Sequence, residues 1–165
     1  LGQRVSLAIS SAIFKVTGLP ADVKWPNDIL IKNKKVAGIL IESKYNKNNR
    51  ILNIGIGINV NIDTCDFPEN LKNTITSLSA EKMNIISREE LLANIINAFG
   101  YYIKLNDETI IEEWQNKCCH NNLYITFHCN NKIIKGVFVG LDESGSAMIK
   151  SNDKLKYYPS GIIEI

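Results

Sequence analysis

The chain has 165 residues, of which 45% are hydrophobic and 22% charged, a composition that suits a packed globular protein and excludes disorder. Nineteen lysines and arginines against 17 acidic residues leave a formal charge of +2, too even for electrostatic capture of nucleic acid or a membrane surface. The arginines Arg4, Arg50 and Arg88 are far apart in sequence, and no apolar run reaches the ~20 residues of a bilayer span.

Val5, Leu7, Ala8, Ile9, Ala12, Ile13 and Val16 recur at helical spacing, and Gly18 with Pro20 supplies a stop. The first element is therefore a helix packed on one face. It lacks the long apolar core and cleavage site of a secretory signal, so a cytoplasmic location is expected. There is no initiator Met, and the chain is expected to be the C-terminal portion of a longer protein. Three extended stretches follow, Val23–Trp25, Ile29–Ile31 and Val36–Ser43, punctuated by Pro26-Asn27-Asp28 and the polar turn Lys32–Lys34. Tyr45–Arg50 reads as a polar loop tip. Ile51–Val60 reads as a strand in which Ile54, Ile56 and Ile58 alternate with Gly55, Gly57 and Asn59, leaving one face almost bare.

Asp63–Thr74 reads as irregular. Ser87 and Glu90 form a capping box ahead of Leu91, Leu92, Ile95, Ile96 and Phe99, which predicts an amphipathic helix to about Leu105. Asp107 is expected to cap a second helix through Trp114. After Lys117 come five short β segments, Leu123–Phe127, Ile133–Leu141, Ala147–Lys150, Leu155–Tyr158 and Ile162–Ile165. Asn130-Asn131, Glu143–Gly145 and Asn152-Asp153 turn between them, which predicts a small barrel. The expected units are residues 1–118 and 119–165.

Cys65, Cys118, Cys119 and Cys129 do not require a disulfide framework, since the chain has ample core and adjacent cysteines bridge poorly. Cys118, Cys119 and His120 with His128 and Cys129 raise the question of zinc. The C-x-x-C pairing of such sites is missing, so reduced thiols and ordinary histidines are the favoured reading.

The chemistry concentrates in three blocks. Lys24-Trp25-Pro26-Asn27-Asp28 ends a strand in a proline-fixed turn that exposes an ammonium, an amide and a carboxylate together. Asp28 is a candidate Mg²⁺ ligand, because that ion needs few protein carboxylates when phosphates supply the rest. Lys35 opens the stretch ending at Glu42 and can place a compact positive charge on a carboxylate or phosphoryl oxygen. Gly38, Gly55 and Gly57 remove side chains where a ligand would lie flat on the sheet, and Asn59 offers a donor and an acceptor beside it. Together these residues predict a strand-built pocket for an anionic small molecule. Singly, each has a plainer reading: Asn27-Asp28 as a surface turn, Lys35 as a solvated strand-end charge. Gly55-Ile56-Gly57 is not a dinucleotide loop, since Val60 stands at the third glycine position and a strand continues there. Lys132-Ile133-Ile134-Lys135 reads as a solvated strand face, and Trp114 and Phe99 as core.

In order and separation, the three blocks resemble those of the biotin–protein ligase family: K-W-P-N-D, then K-x-x-G-I-L-x-E, then G-x-G-I-N. Thr76-Ser77-Leu78 and the segment Gly140-Leu141-Asp142-Glu143-Ser144-Gly145 add to the likeness. The resemblance implies an α+β fold, a mixed sheet with helices related to class II synthetases, ending in an SH3-like barrel. It implies ATP-dependent formation of biotinyl-5'-adenylate and transfer of biotin to a lysine of the biotin carboxyl carrier protein of acetyl-CoA carboxylase. On this likeness Lys35 and Asp28 are the catalytic residues. Lys35 would contact the biotin carboxylate and the adenylating phosphate, and Asp28 and Asn27 would lie nearest the phosphates and Mg²⁺. Lys24 would add charge there, Gly38, Gly55 and Gly57 would line biotin, and Asn59 would sit near the nucleotide. No membrane partner is implied, no DNA-binding domain is expected in this chain, and a homodimer is compatible.

The family's Gly/Arg-rich loop, upstream of the first helix, is not in this sequence. The expectation is that the chain alone neither accumulates biotinyl-adenylate nor biotinylates a carrier, because the adenylate would be open to water. An unpaired sheet edge within residues 23–60 is expected to promote self-association, with the barrel from about 120 the better-folded part. Competing readings are a lipoate–protein ligase relative and a non-catalytic module that docks a partner through its barrel. Transcriptional repression is disfavoured, since no helix-turn-helix is present.

Overall fold

The computed structural model describes residues 1–46 and 49–164. Helix α1 (Gly2–Thr17) stops where Gly18 takes φ 72° and its N–H bonds to Phe14 O. The hydroxyls on its buried side are satisfied internally: Ser10 Oγ donates to Ala21 O at 2.6 Å and Thr17 Oγ1 to Ile13 O at 2.7 Å. The helix packs on a four-stranded antiparallel sheet of β1 (Asp22–Lys24), β2 (Asp28–Ile31), β3 (Lys34–Asn46) and β4 (Asn49–Ile58), in that order. Val23, Ile29, Ile31, Ala37 and Ile39 fill the helix side of this sheet. Among the described residues β4 is an edge strand, and its residues 49–57 are exposed. The predicted loop tip at 45–50 is narrower than expected, because Tyr45 still pairs with Arg50. Its centre, Lys47-Asn48, lies outside the described residues, as does Ile165.

Residues 59–77 carry two short 3-10 turns, Thr64–Asp66 and Glu69–Leu71, before α2 (Leu78–Lys82), which sequence spacing did not announce. Ser77 caps it, its Oγ accepting from Ala80 N. Helix α3 (Arg88–Tyr102) lies along α1. Its N-cap is Ser87, whose Oγ accepts from Glu90 N at 3.1 Å. This is the hydroxyl half of the expected Ser87–Glu90 box, and the same hydroxyl donates to Glu89 Oε2 at 3.1 Å. For α4 (Asp107–Lys117) the cap is Asn106, whose Oδ1 accepts from Thr109 N; Asp107 is the first helical residue.

The second sheet contains β5 (Tyr124–Cys129), β6 (Lys132–Leu141), β7 (Ala147–Ser151), β8 (Lys154–Tyr158) and β9 (Ile162–Glu164), in the order β8-β7-β6-β5-β9 and antiparallel throughout. Asn130-Asn131 and Asn152-Asp153 both have positive φ at both residues, the two-residue hairpin geometry. Strands β8 and β9 stand at the two ends of the sheet. The fold is α+β, and one apolar cluster runs from α1 through Trp114 to Phe127, Phe138 and Ile149. Among the described residues no helix is long and apolar enough to cross a membrane.

Candidate functional site

Strand register gathers the three sequence blocks. Lys24 pairs with Asp28, Asp28 with Gly38, and Gly38 with Gly57, so one row crosses all four strands. Residues directly opposite in antiparallel pairs share a face. This face is the one turned away from α1. One step along, Leu40 pairs with Gly55 and is 61% exposed. The bare face predicted from the Ile/Gly alternation of β4 is therefore the open side of the sheet.

Strict alternation would turn Lys35 to the opposite face from Gly38. The register between β2 and β3 shifts, however: Ile29 pairs with Ala37 but Leu30 with Lys35, leaving Val36 as an extra residue. Such a bulge re-aims the side chains that precede it. Val36 is buried, and Lys35 joins Leu30 and Asp28 on the open side. Its Nζ lies 2.6 Å from Asp28 Oδ1. That carboxylate oxygen is buried and receives no hydrogen bond of ordinary angle. Gly38 makes room for this pair, since a Cβ there would stand 3.2 Å from both Cε and Nζ of Lys35. At Gly57 a Cβ would meet nothing within 4 Å. The glycines thus divide their work: Gly38 accommodates the lysine, and Gly57 leaves open floor.

Two adjoining cavities flank Lys35. The larger, about 880 Å³, is lined by Lys24, Asp28, Lys35, Thr74, Ile75 and Cys119 among others. The smaller, about 420 Å³, has Lys35, Gly38, Gly57 and Asn59 in its wall. Lys24, Asp28, Lys35, Gly38, Gly57 and Asn59 are therefore brought together, with Gly55 one step further along the same face. Asn27 and Asn59 engage the backbone. Asn27 Nδ2 donates to Ile39 O at 2.7 Å, latching the Pro26 turn, which contains a cis Trp25–Pro26 peptide, onto β3. Asn59 Nδ2 donates to Thr76 O at 3.0 Å.

The wall formed by residues 71–76 escaped sequence reasoning. It is held by long-range bonds, Lys35 N to Thr74 O at 2.8 Å and Thr76 N to Lys35 O at 2.9 Å, which leave no local signature. Thr76 Oγ1 then meets Glu81, whose other oxygen pairs with Lys32 Nζ at 2.9 Å. Cys119 also enters the cavity unannounced. Burial pushes its thiol up to about 11, with Asp22 adding to the rise and Lys24 opposing it. Burial likewise raises Cys118 to about 12. Both thiols stay protonated at neutral pH, and the four cysteines are unbridged. His120 is buried between Trp114 and Phe138, whereas His128 Nε2 lies 3.1 Å from Glu164 Oε2. Among the described residues no group of three or more His, Cys, Asp or Glu side chains is placed to hold a metal.

A glycine-floored stretch of sheet thus carries two ammonium groups and one carboxylate at its rim. Residues 3–61 match the biotin/lipoate A/B protein ligase family, and residues 125–165 match the biotin protein ligase C-terminal domain. The chain belongs to the biotin–protein ligase family. It is 32% identical to the bifunctional ligase/repressor BirA of Bacillus subtilis over 97% of its own length and 51% of that relative. It is 26% identical to the biotin–[acetyl-CoA-carboxylase] ligase of Paracoccus denitrificans over 89% of its length and 66% of that relative. The biotin protein ligase of Aquifex aeolicus superposes with a TM-score of 0.85 at 27% identity, covering 99% of this chain and 72% of that one. The same enzyme solved with biotin and ATP superposes at 0.81 with 28% identity, covering 99% and 69%. The chain spans about half the length of the Bacillus relative.

Proposed function

We propose that residues 1–118 supply the adenylation pocket of a cytoplasmic biotin–protein ligase and residues 119–165 its C-terminal domain. The reaction joins biotin to ATP and passes the biotinyl group to a carrier lysine. The observation that carries this reading is the Lys35–Asp28 pair at 2.6 Å beside the Gly38–Gly57 floor. A flat bicyclic head with an apolar carboxylate-tipped chain suits that floor, because no Cβ rises at Gly57 and Leu40 offers apolar surface next to it. The carboxylate oxygen attacks the α-phosphorus, and pyrophosphate departs with the electrons of the broken P–O bond. The Lys35 ammonium is placed to offset the charge that builds on the phosphoryl oxygens. The carrier lysine then attacks the acyl carbon, and AMP leaves.

Asp28 is the carboxylate that lines the larger cavity. Asp28, whose Oδ1 is buried and short of a hydrogen bond, would hold Mg²⁺ only with help from phosphate oxygens. The ion, when bound, would screen polyphosphate charge. Three further observations support the reading. The match of 125–165 to a biotin protein ligase domain favours biotin over lipoate. The Aquifex relative was solved with biotin and ATP. The Paracoccus relative is named for acetyl-CoA carboxylase, which supports the biotin carboxyl carrier protein of that enzyme as acceptor.

The test is Lys35→Ala in the full-length protein. Biotin-dependent pyrophosphate release should fall by roughly 10²–10³-fold, as when one preorganised donor is lost, while far-UV circular dichroism stays unchanged. Release close to the unsubstituted rate removes Lys35 from the chemistry and the reading with it.

A further inference from the structure

The backbone of Lys35 is held from a side that the sheet leaves unserved. Strand β4 ends at Ile58, opposite Ala37, so Lys35 has no partner in β4. Its N–H and C=O on that side both need partners, and the wall at 71–76 supplies them through a parallel bridge between Lys35 and Ile75. The wall thus grips β3 just where the Val36 bulge re-aims the lysine. Thr76 holds the wall in turn. Its carbonyl accepts from Asn59 Nδ2, and its hydroxyl, on a residue 2% exposed, donates to Glu81 Oε1 at 2.8 Å.

Glu81, on α2, reaches back toward the sheet. Its second carboxylate oxygen lies 2.9 Å from Nζ of Lys32, in the turn between β2 and β3. A ring therefore closes through this carboxylate: Lys35, Thr76, Glu81, Lys32, and the chain from Lys32 back to Lys35. Its two arms differ in strength. The bond from Thr76 is buried and charge-assisted, whereas Lys32 is 71% exposed and its attraction is screened by water. Burial acts to raise the carboxyl, but the bonds from Lys32 and Thr76 hold it below the usual range, so it is ionised at neutral pH. Glu81 lines neither cavity beside Lys35.

We propose that Glu81 is a positioning residue for adenylation: by holding Thr76, it fixes the backbone of Lys35 and so keeps the ammonium against Asp28. This role rests on the reading of Lys35 given above, since Glu81 acts only through that lysine.

Biotin-dependent pyrophosphate release by the full-length protein tests it, with Lys35→Ala as the reference. Glu81→Ala should lower kcat about tenfold or more while the KM for biotin stays within about twofold. Thr76→Val, which removes the hydroxyl at similar shape, should do the same, and Glu81→Gln, which keeps an acceptor for Thr76, should retain most of the rate. Added to Lys35→Ala, Glu81→Ala should cost nothing further, because its effect passes through the missing ammonium. Amide hydrogen exchange in the full-length Glu81→Ala protein should show Lys35 and Thr76 losing protection while α3 keeps its own. A further loss of rate in the Lys35→Ala background overturns the proposal, as does unchanged protection at Lys35. Normal kcat in Glu81→Ala, beside a strongly reduced Lys35→Ala, overturns it and leaves the function standing. Near-normal release by Lys35→Ala removes the functional reading, and the proposal with it.

Discussion

Lys35 owes its position to two neighbours with no chemistry of their own, the extra residue Val36 and the missing Cβ of Gly38. A methyl at Gly38 would stand 3.2 Å from Cε and Nζ, and the flexible lysine, not the backbone, would move. Gly38→Ala is therefore expected to lower the rate of pyrophosphate release by about tenfold or more through misplacement of the ammonium, at nearly unchanged stability. Gly57→Ala should act differently, raising the KM for biotin, because its Cβ would enter open floor away from Lys35. Steady-state kinetics of the two variants in the full-length protein separate these effects, and identical behaviour would contradict the division of work. His120 makes a second case. Burial, and then the charge of Lys24, hold its imidazole down to about 4 from 6.5. Between those values the unfolded chain takes up a proton that the folded chain refuses. Stability complete above pH 6.5 is thus lost progressively as the pH falls toward 4, by about 3 kcal/mol from this group. Urea titrations across that range should show the decline, and His120→Gln should flatten it. An equal slope in the variant would place the acid sensitivity elsewhere.

Among the elements, the joint between α4 and β6 is the most exacting. Gln115 Oε1 accepts from Leu141 N at 3.1 Å, and Gly140, at φ 128°, leaves the space that Gln115 occupies. Gly140→Ala adds backbone strain and displaces that side chain, so it should lower stability by roughly 2 kcal/mol or more, measured by urea unfolding. A neutral outcome would show that the joint relaxes freely. The three long helices and most strands were legible because their patterns are local. The Ile/Gly alternation of β4 foretold its bare face, and Asn130-Asn131 and Asn152-Asp153 foretold their hairpins. The bulge at Val36 was not legible, since its cause lies in how β3 meets β2. Nor was the wall at 71–76, whose order comes from bonds to residues some forty positions earlier. Asn59 was read as a ligand contact from its type and place, yet its amide N–H anchors Thr76 O.

At the scale of the molecule, the expected division near residue 118 is crossed by several ties. Trp25 Nε1 donates to Gly145 O at 3.3 Å, and its ring lies 5.8 Å from that of Phe127. Gln115 Oε1 accepts from Leu141 N, and Cys119 N donates to Val23 O at 3.1 Å. With one apolar cluster spanning both sheets, the two units should melt together. Tryptophan fluorescence, which reports Trp25 and Trp114, and far-UV circular dichroism are expected to give coincident thermal transitions. A second transition from the terminal sheet would show that it folds as an independent unit.

The row Lys24, Asp28, Gly38 and Gly57 has a practical consequence for anyone preparing this protein. Each strand contributes one member, so the pocket exists only in a single register. A slip of one residue between β3 and β4 would keep a ladder of backbone bonds but set Ile56 or Ile58 opposite Gly38, filling the floor with a branched side chain. Such a molecule would pass every spectroscopic check of secondary structure. The count of properly folded molecules in a refolded batch is therefore given by a binding stoichiometry.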